Sequence, residues 1–166
     1  MIRLRPASRF LAVLAALALA ACQQVPKAPA YQPLVARLFL ETRPGEPGIG
    51  VRLPVSGVVV NVATKPVIVE YDVRSAEVAR VELGECLLLQ VSPAAARDLY
   101  RLSVSALGRR LVLMLNDEPV GVHRIERALS DGVIAVFVEK PDAGLPALAE
   151  RIRRTSADIA AAAKSR

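Results

Sequence analysis

Short hydrophobic runs separated by turn residues dominate the chain from Leu34 to Val91. Such runs, rich in β-branched residues and bounded by Gly, Pro, Asn and Asp, are typical of strands. The predicted strands are Leu34–Thr42, Val51–Pro54, Gly57–Val62, Val67–Tyr71, Val78–Leu83 and Cys86–Val91. Between the first two, the Pro- and Gly-rich stretch Arg43–Gly50 is predicted to be a loop.

The hydrophobic period changes at Ser92. Ser is a favoured N-cap and Pro93 suits the first helical position, so a helix is predicted over residues 93–107. Gly108 can adopt the left-handed conformation that ends a helix. One face of this helix carries Ala95, Leu99, Leu102 and Ala106.

The remaining elements alternate between strand and helix. The apolar run Leu111–Leu115 predicts a central strand, and Asn116–Pro119 predicts the tight turn after it. Further along, the pattern predicts a helical turn at Ile125–Leu129, a strand at Val133–Val138, and a helix with Leu145, Leu148 and Ile152 on one face. The predicted fold is α+β, with a mixed or antiparallel sheet and two main helices.

The amino terminus has the build of a signal peptide. Basic residues up to Arg9 precede the uncharged stretch Phe10–Ala21, which is far shorter than the roughly 20 residues a membrane-spanning helix needs. The sequence Leu19-Ala20-Ala21-Cys22 resembles the lipobox of bacterial lipoproteins. That resemblance implies cleavage between Ala21 and Cys22 and acylation of the Cys22 thiol. The alternative is an ordinary signal-peptidase cut.

The boundaries follow from these features. Residues 1–21 are the signal peptide, 22–33 the lipidated Cys and a Pro-rich linker, 34–155 the α+β domain, and 156–166 an Ala-rich, basic tail predicted to fray into solvent. In lipoproteins, a residue other than Asp after the acylated Cys directs the protein to the outer membrane. Gln23 therefore predicts a periplasm-facing outer-membrane location.

Composition narrows the function classes. The chain has 166 residues, 53% of them hydrophobic, and a formal charge of +6, of which half comes from Arg3, Arg5 and Arg9 in the signal peptide. The excess charge therefore does not indicate nucleic-acid binding, and aromatic residues that could stack on bases are sparse. One His and two Cys cannot supply a His/Cys metal site. No metal or other cofactor is predicted.

Two side chains could act as a base or nucleophile. His123 is the only imidazole, so any Ser-His or Cys-His catalytic arrangement must use it, but no catalytic motif surrounds it. The simpler interpretation is a partly exposed side chain at a strand end. Cys86 lies in an apolar strand, which favours core burial over a reactive role.

The charged clusters also have simple interpretations. Glu70 and Asp72 resemble the solvated face of a strand, and Asp117–Glu118 resembles a turn. The basic pairs and triplet, Arg109–Arg110 and Arg151, Arg153 and Arg154, are predicted to be solvated faces. The glycines at 45, 48 and 50 lie among prolines between strands and do not form a phosphate-binding loop.

The second half of the domain carries a recognisable order of elements. A helix containing Leu99–Tyr100 is followed by Gly108-Arg109-Arg110, the apolar strand and the Asn116-Asp117 turn, and then by a last strand and helix. Over residues 86–153 this order resembles the periplasmic head domain of the protein-export subunit SecD. The resemblance implies a module that contacts exported polypeptides. That subunit also has membrane-spanning helices, whereas no such segment is predicted here after Cys22.

The sequence therefore supports two functions. The first is a non-enzymatic periplasmic lipoprotein whose SecD-head-like domain binds polypeptides or envelope partners. Its contact surface would be an exposed strand edge, with Gln90 and Ser92 near its end, or the groove beside helix 93–107. The second is a structural or assembly subunit of an outer-membrane complex. A hydrolase or transferase is a third, weaker option, which loss of activity in His123→Ala would support.

Overall fold

A six-stranded antiparallel sheet forms the middle layer of the domain. The structure is a computed structural model, and it describes residues 31–139 and 144–164. The strands are β1 (Ala36–Leu40), β2 (Ile49–Arg52), β3 (Val59–Val62), β4 (Val73–Val81), β5 (Gly84–Val91), β6 (Arg110–Leu115), β7 (Glu118–Arg124) and β8 (Val133–Val138). The helices are α1 (Pro93–Ser105) and α2 (Leu145–Lys164).

The strand order in the sheet is β1-β6-β7-β8-β5-β4, and each neighbouring pair is antiparallel. β2 and β3 form a separate hairpin. The predicted α+β class, with an antiparallel sheet and two main helices, is confirmed. The prediction of Leu111–Leu115 as a central strand is confirmed too, because β6 lies between β1 and β7.

The helices cover one face of the sheet, and the β2–β3 hairpin covers the other face around β6. Leu38, Leu89 and Leu111 belong to the larger core, where α1 contributes Leu99 and α2 contributes Ile152. The opposite face of β6 carries Val112 and Met114, which pack against Leu53, Val60 and Val62 of the β2–β3 hairpin. The domain therefore has three layers: helices, sheet and hairpin.

The sheet has two ends, and the groove and hairpin tips of this domain lie at one or the other. We call "lower end" the end at which Ala36, Leu115, Glu118, Val138 and Gly84 lie. The "upper end" is the opposite one, where Leu40, Arg110, Arg124, Val133 and Val91 lie. Helix α1 follows β5 and precedes β6 at the upper end. The chain enters the domain at the lower end, where Asn116 Oδ1 accepts from Val35 N at 2.8 Å.

Several sequence predictions are wrong in detail. β4 begins at Val73 and ends at Val81, whereas the predicted strand is Val78–Leu83. Val67–Tyr71 is not a strand: Ile68 makes a bridge to Leu38, and the chain then turns through Val69–Asp72. Ile125–Leu129 is an irregular segment, not a helical turn. The predicted turn Asn116–Pro119 is shorter than expected, because β7 begins at Glu118.

The last helix is longer than predicted. α2 continues to Lys164, through the residues predicted to fray, and buries Thr155 and Ser156. Its middle holds the entering chain: Thr155 Oγ1 accepts from Leu34 N at 2.8 Å, and Arg151 donates to Gln32 O at 3.2 Å. Along the described residues, no helix has the length and hydropathy needed to cross a membrane.

Candidate functional site

Helix α1 is positioned by its caps. Ser92 Oγ accepts from Ala95 N at 3.2 Å, Pro93 occupies the first turn, and Gly108 has a φ of +81° after the helix ends. Ser103 ties the helix to the loop before β8, because its hydroxyl accepts from Leu129 N at 2.9 Å. The predicted N-cap is therefore confirmed, whereas the helix ends at Ser105 with Ala106 as its C-cap, before the predicted end at residue 107.

The outer side of α1 carries an exposed apolar stripe. Tyr100 is 47% exposed, Val104 52% and Leu107 57%. Side chains four residues apart share one side of a helix, so Tyr100 and Val104 lie together, and the exposed Leu107 follows two residues after α1 ends. The opposite side, with Ala95 and Leu99, is buried in the core. Helix α1 thus has one apolar face in the core and a second one in solvent.

A groove of about 580 Å³ lies beside this stripe. It is lined by Pro93, Ala96, Arg97, Tyr100, Arg101 and Ser130. Gly132 keeps the loop close to the helix, since a Cβ there would lie 2.9 Å from Ala96 Cβ. The groove therefore combines an aromatic ring, small side chains and two guanidinium groups at the upper end.

His123 lines a second cleft, of about 670 Å³, on the other side of the loop that carries Ser130. Its Nδ1 donates to Ala135 O at 2.8 Å, which leaves Nε2 as an acceptor. Nε2 is buried and has no hydrogen-bond partner within the described part of the chain. Burial lowers the pKa of His123 below its usual value, so the ring is neutral at pH 7.

Cys86 lies in the core, as predicted. Its side chain is 0% exposed, and burial raises the pKa of the thiol above its ordinary value. A protonated, inaccessible thiol is a poor nucleophile and a poor metal ligand. Across residues 31–139 and 144–164, no cluster of three or more His, Cys, Asp or Glu side chains could hold a metal ion.

The candidate carboxylates have structural partners. Glu70 accepts from Arg37 Nε at 2.7 Å, and this bond holds the pKa of the carboxyl below its usual value. Asp72 Oδ2 accepts from Val69 N at 3.1 Å, so it stabilises a turn and not the strand face predicted for this pair. Asp117, with a φ of +67°, lies in the β6–β7 turn as predicted.

The basic clusters make more hydrogen bonds within the protein than predicted. Arg109 donates to the backbone carbonyl of Glu41, and Arg110 forms a bidentate pair with the Glu41 carboxylate. The two arginines therefore join β6 to the residue after β1 and are not a solvated face. In α2, Arg151 holds Gln32, and Arg153 pairs with Glu150.

The strand edge suggested by Gln90 and Ser92 does not exist. β5 lies between β8 and β4, with Gln90 opposite Val133 on one side and Ser75 on the other. Ser92 is buried as the N-cap of α1. Among the described strands, β1 and β4 are the two sheet edges, and the outer side of β1 is partly covered by the bridge between Leu38 and Ile68.

The predicted cleavage and lipidation site, Ala21 and Cys22, lies outside the described residues, as does nearly all of the linker 22–33.

No family model and no curated protein matches the chain. Two solved structures do match. The fold resembles that of SecDF. A crystal structure of SecDF in its super-membrane-facing form matches with a TM-score of 0.53 and 14% identity, over 72% of this chain and 18% of that one. A structure of SecDF described as a membrane component that enhances protein export matches with a TM-score of 0.52 and 17% identity, over 94% of this chain and 70% of that one.

At these identities the structural likeness shows a shared fold and no more. The chain spans less than a fifth of the length of the first SecDF structure. The likeness to SecD expected from residues 86–153 is thus supported at the level of the fold, and the second match extends it over most of the chain.

Proposed function

We propose that this chain is a non-enzymatic lipoprotein, anchored through Cys22 and facing the periplasm, whose SecD-head-like domain binds polypeptide segments in connection with protein export. The observation that carries the proposal is the SecDF fold, found together with an open apolar groove on α1. One of the SecDF structures is that of a component that enhances protein export. The binding role follows from the surface of the domain, and the anchor follows from the lipobox-like sequence.

The groove on α1 suits an unfolded polypeptide better than the β4 edge does. Three charged residues, Arg74, Glu77 and Arg80, are exposed along β4, and charges on an edge strand disfavour the addition of another strand. The groove instead offers Tyr100 and the stripe through Val104. An aromatic ring beside aliphatic side chains binds varied apolar residues without requiring a specific sequence.

A binding role also agrees with the state of the candidate catalytic groups. His123 Nε2 and the Cys86 side chain are both inaccessible to solvent. Glu70 and Glu41 are each held in a pair with an arginine. None of these groups is placed to act on a substrate in the groove that contains Tyr100.

Site-specific photocross-linking in living cells tests the binding site. A benzophenone amino acid replaces Tyr100, and the matched control carries it at Tyr71, another exposed tyrosine, which is 64% exposed. We expect Tyr100 to capture polypeptides in transit, and we expect these adducts to decline when export is blocked. Equal capture at both positions, or no polypeptide adduct at Tyr100, would refute the groove as the binding site.

The anchor needs its own measurement. Intact-mass analysis of the membrane fraction should show an acylated protein beginning at Cys22, and Cys22→Ser should abolish the added mass. Separation of inner and outer membranes on a density gradient should place the protein in the outer membrane. An unmodified Cys22 would refute the lipoprotein assignment and leave the groove to be judged by cross-linking.

A second function is favoured by the same apolar stripe. A structural or assembly subunit of an outer-membrane complex would cover Tyr100, Val104 and Leu107 permanently with one partner. Native mass measurement of mild detergent extracts separates the two functions. A fixed stoichiometric complex supports the assembly role, whereas an uncomplexed chain that captures many polypeptides supports the export-linked role.

A further inference from the structure

Two hairpin tips lie at the lower end of the sheet, where the chain enters the domain. The β4–β5 tip is there because Val81 pairs with Gly84, and Gly84 starts β5 at that end. The β2–β3 tip is brought there by Glu139, which follows β8. Its carboxylate accepts from Val55 N at 3.3 Å and from Ser56 N at 2.9 Å.

Both tips present aliphatic side chains to solvent. On the β4–β5 tip, Leu83 is 84% exposed and Val81 43%. On the β2–β3 tip, Val55 is 63% exposed and Val58 41%. Single exposed aliphatic residues are common on protein surfaces. Four of them on two tips at the same end of the domain form an apolar surface at that end.

The backbone N–H groups of the β2–β3 tip already have partners within the protein. Leu53 N donates to Val58 O, and Gly57 N donates to Leu53 O. Val55 N and Ser56 N both donate to the Glu139 carboxylate, and Val58 N donates to the Ser56 hydroxyl. Pro54 has no N–H to satisfy. A loop whose donors have partners within the protein can leave water at little cost, and this is the condition for contact with lipid.

The entry point of the chain indicates what covers this surface. Asn116 Nδ2 donates to Pro33 O at 3.2 Å, so the residues before Pro33 leave the domain at the lower end. Cys22 precedes Pro33 by eleven residues in the sequence. Eleven residues reach at most about 35 Å even when extended, so an anchor at Cys22 keeps the lower end near the bilayer.

The charge at the lower end selects the type of lipid. Glu82 is exposed beside Leu83, Arg80 of the same hairpin pairs with Glu85, and Asp117 in the β6–β7 turn pairs with Arg37. The β2–β3 hairpin carries one charged residue between Gly48 and Val62, Arg52, whose Nη1 donates to Gly57 O. Aliphatic tips bordered by paired acidic and basic side chains fit a zwitterionic surface and gain nothing from an anionic one.

We propose that the tips containing Val55, Val58, Val81 and Leu83 contact the bilayer that carries the anchor and hold the domain upright, with the α1 groove directed away from the membrane. The lipid surface is phosphatidylethanolamine-rich. This inference rests on the proposed lipid anchor at Cys22. It goes beyond that function because it assigns a second, non-covalent membrane contact and an orientation.

Fluorescent labels on the acylated full-length chain test the contact. Val55→Cys and Leu83→Cys each carry an environment-sensitive fluorophore, and the matched control is Val104→Cys, which replaces a valine of 52% exposure on α1 at the upper end. The buried Cys86 thiol does not compete for label. The proteins are reconstituted in phosphatidylethanolamine-rich vesicles after mass analysis has confirmed acylation at Cys22.

We expect the labels at 55 and 83 to emit at shorter wavelength than the label at 104. Quenching by aqueous iodide should be at least about twofold weaker at the tips, because a residue at the headgroup boundary is shielded from water. Val55→Asp should reverse the protection of a label at 83, whereas Val104→Asp should leave it unchanged. Replacing part of the lipid with phosphatidylglycerol should not strengthen the protection.

Three results would overturn the proposal. If an acylated chain shows equal quenching at 55, 83 and 104, there is no bilayer contact, although the lipoprotein assignment stands. If protection disappears when fewer chains are placed on each vesicle, the tips contact a second copy and not lipid. If Cys22 carries no lipid, both the anchor and the contact that depends on it fail, and the α1 groove is unaffected.

Discussion

The pair formed by Glu41 and Arg110 gives a quantitative test of how the sheet is held together. The Glu41 carboxylate accepts from Arg110 N at 2.9 Å and from Arg110 Nε at 3.0 Å, and it also binds the Nη2 of the same side chain. The Glu41 side chain is 20% exposed and that of Arg110 is 32% exposed. Glu41→Gln removes the negative charge and places an amide where Arg110 requires an acceptor.

A buried hydrogen bond to a charged group contributes about 1.5–3 kcal/mol, and partial exposure to water reduces that figure. We therefore expect Glu41→Gln to lower the free energy of unfolding by about 1–2 kcal/mol at pH 7. The control is Glu85→Gln, which breaks the pair between Glu85 and Arg80. Their side chains are 48% and 81% exposed, so the expected change is within about 0.5 kcal/mol.

The effect of Glu41→Gln should depend on pH with a definite sign. The hydrogen bond from Arg110 holds the pKa of Glu41 below its ordinary value of 4.5. Between those two pKa values the unfolded chain binds more protons, so the contribution of Glu41 is complete above pH 4.5 and is lost as pH falls through the lowered pKa. Urea unfolding followed by circular dichroism at pH 7 and at lower pH measures this loss.

Two results would refute this reasoning. One is a loss at pH 7 no larger than that of Glu85→Gln, which would mean that the pair contributes only what an exposed pair does. The other is a difference between the original chain and Glu41→Gln that stays constant as the pH is lowered.

Three further predictions concern single positions. Gly121→Ala should cost at least about 3 kcal/mol or prevent folding, since a Cβ would lie 2.2 Å from Phe137 O; Gly144→Ala, with nothing within 4 Å, should be neutral by thermal unfolding. His123 has a lowered pKa, so stability should decline as pH falls from 6.5 through that value, and in urea unfolding at graded pH His123→Gln should lack this slope. Cys86→Ser should cost about 1–3 kcal/mol and Cys86→Ala less, and the Cys86 thiol should resist aqueous thiol reagents until urea unfolds the chain.

Local sequence signals predicted those elements that depend on neighbouring residues. The N-cap at Ser92 begins α1 in the structure as in the sequence, and Gly108 is left-handed as predicted, although the helix ends earlier, at Ser105. β7 was missed because Pro119 and Gly121 are poor strand residues. The register between β6 and β7 shifts beside Pro119, and Gly121 is required because β8 passes so close. This close approach depends on the tertiary structure, so no local sequence pattern predicts it.

The same limit applies to the candidate site. The groove beside α1 was anticipated because the predicted helix is amphipathic, but its outer stripe of Tyr100, Val104 and Leu107 is recognised only once the buried face is known. The strand edge was misplaced to β5 because sequence order does not give sheet order: β8 inserts between β7 and β5. The lower end with its two tips depends on Glu139, which is 84 residues from Val55.

The hydrogen bonds that hold the entering chain to the domain have a mechanical consequence. Leu34 is bonded to Thr155, and the next strand, β1, is paired along five residues with β6. A polypeptide held in the α1 groove at the upper end and an anchor pulling from the lower end would load the sheet along its strands. β1 and β6 would then have to slide past each other, breaking all their hydrogen bonds together instead of one at a time. Such shear resists force far better than peeling does, so the β1–β6 pairing would keep the domain folded if the proposed anchor and a bound polypeptide pulled on it together.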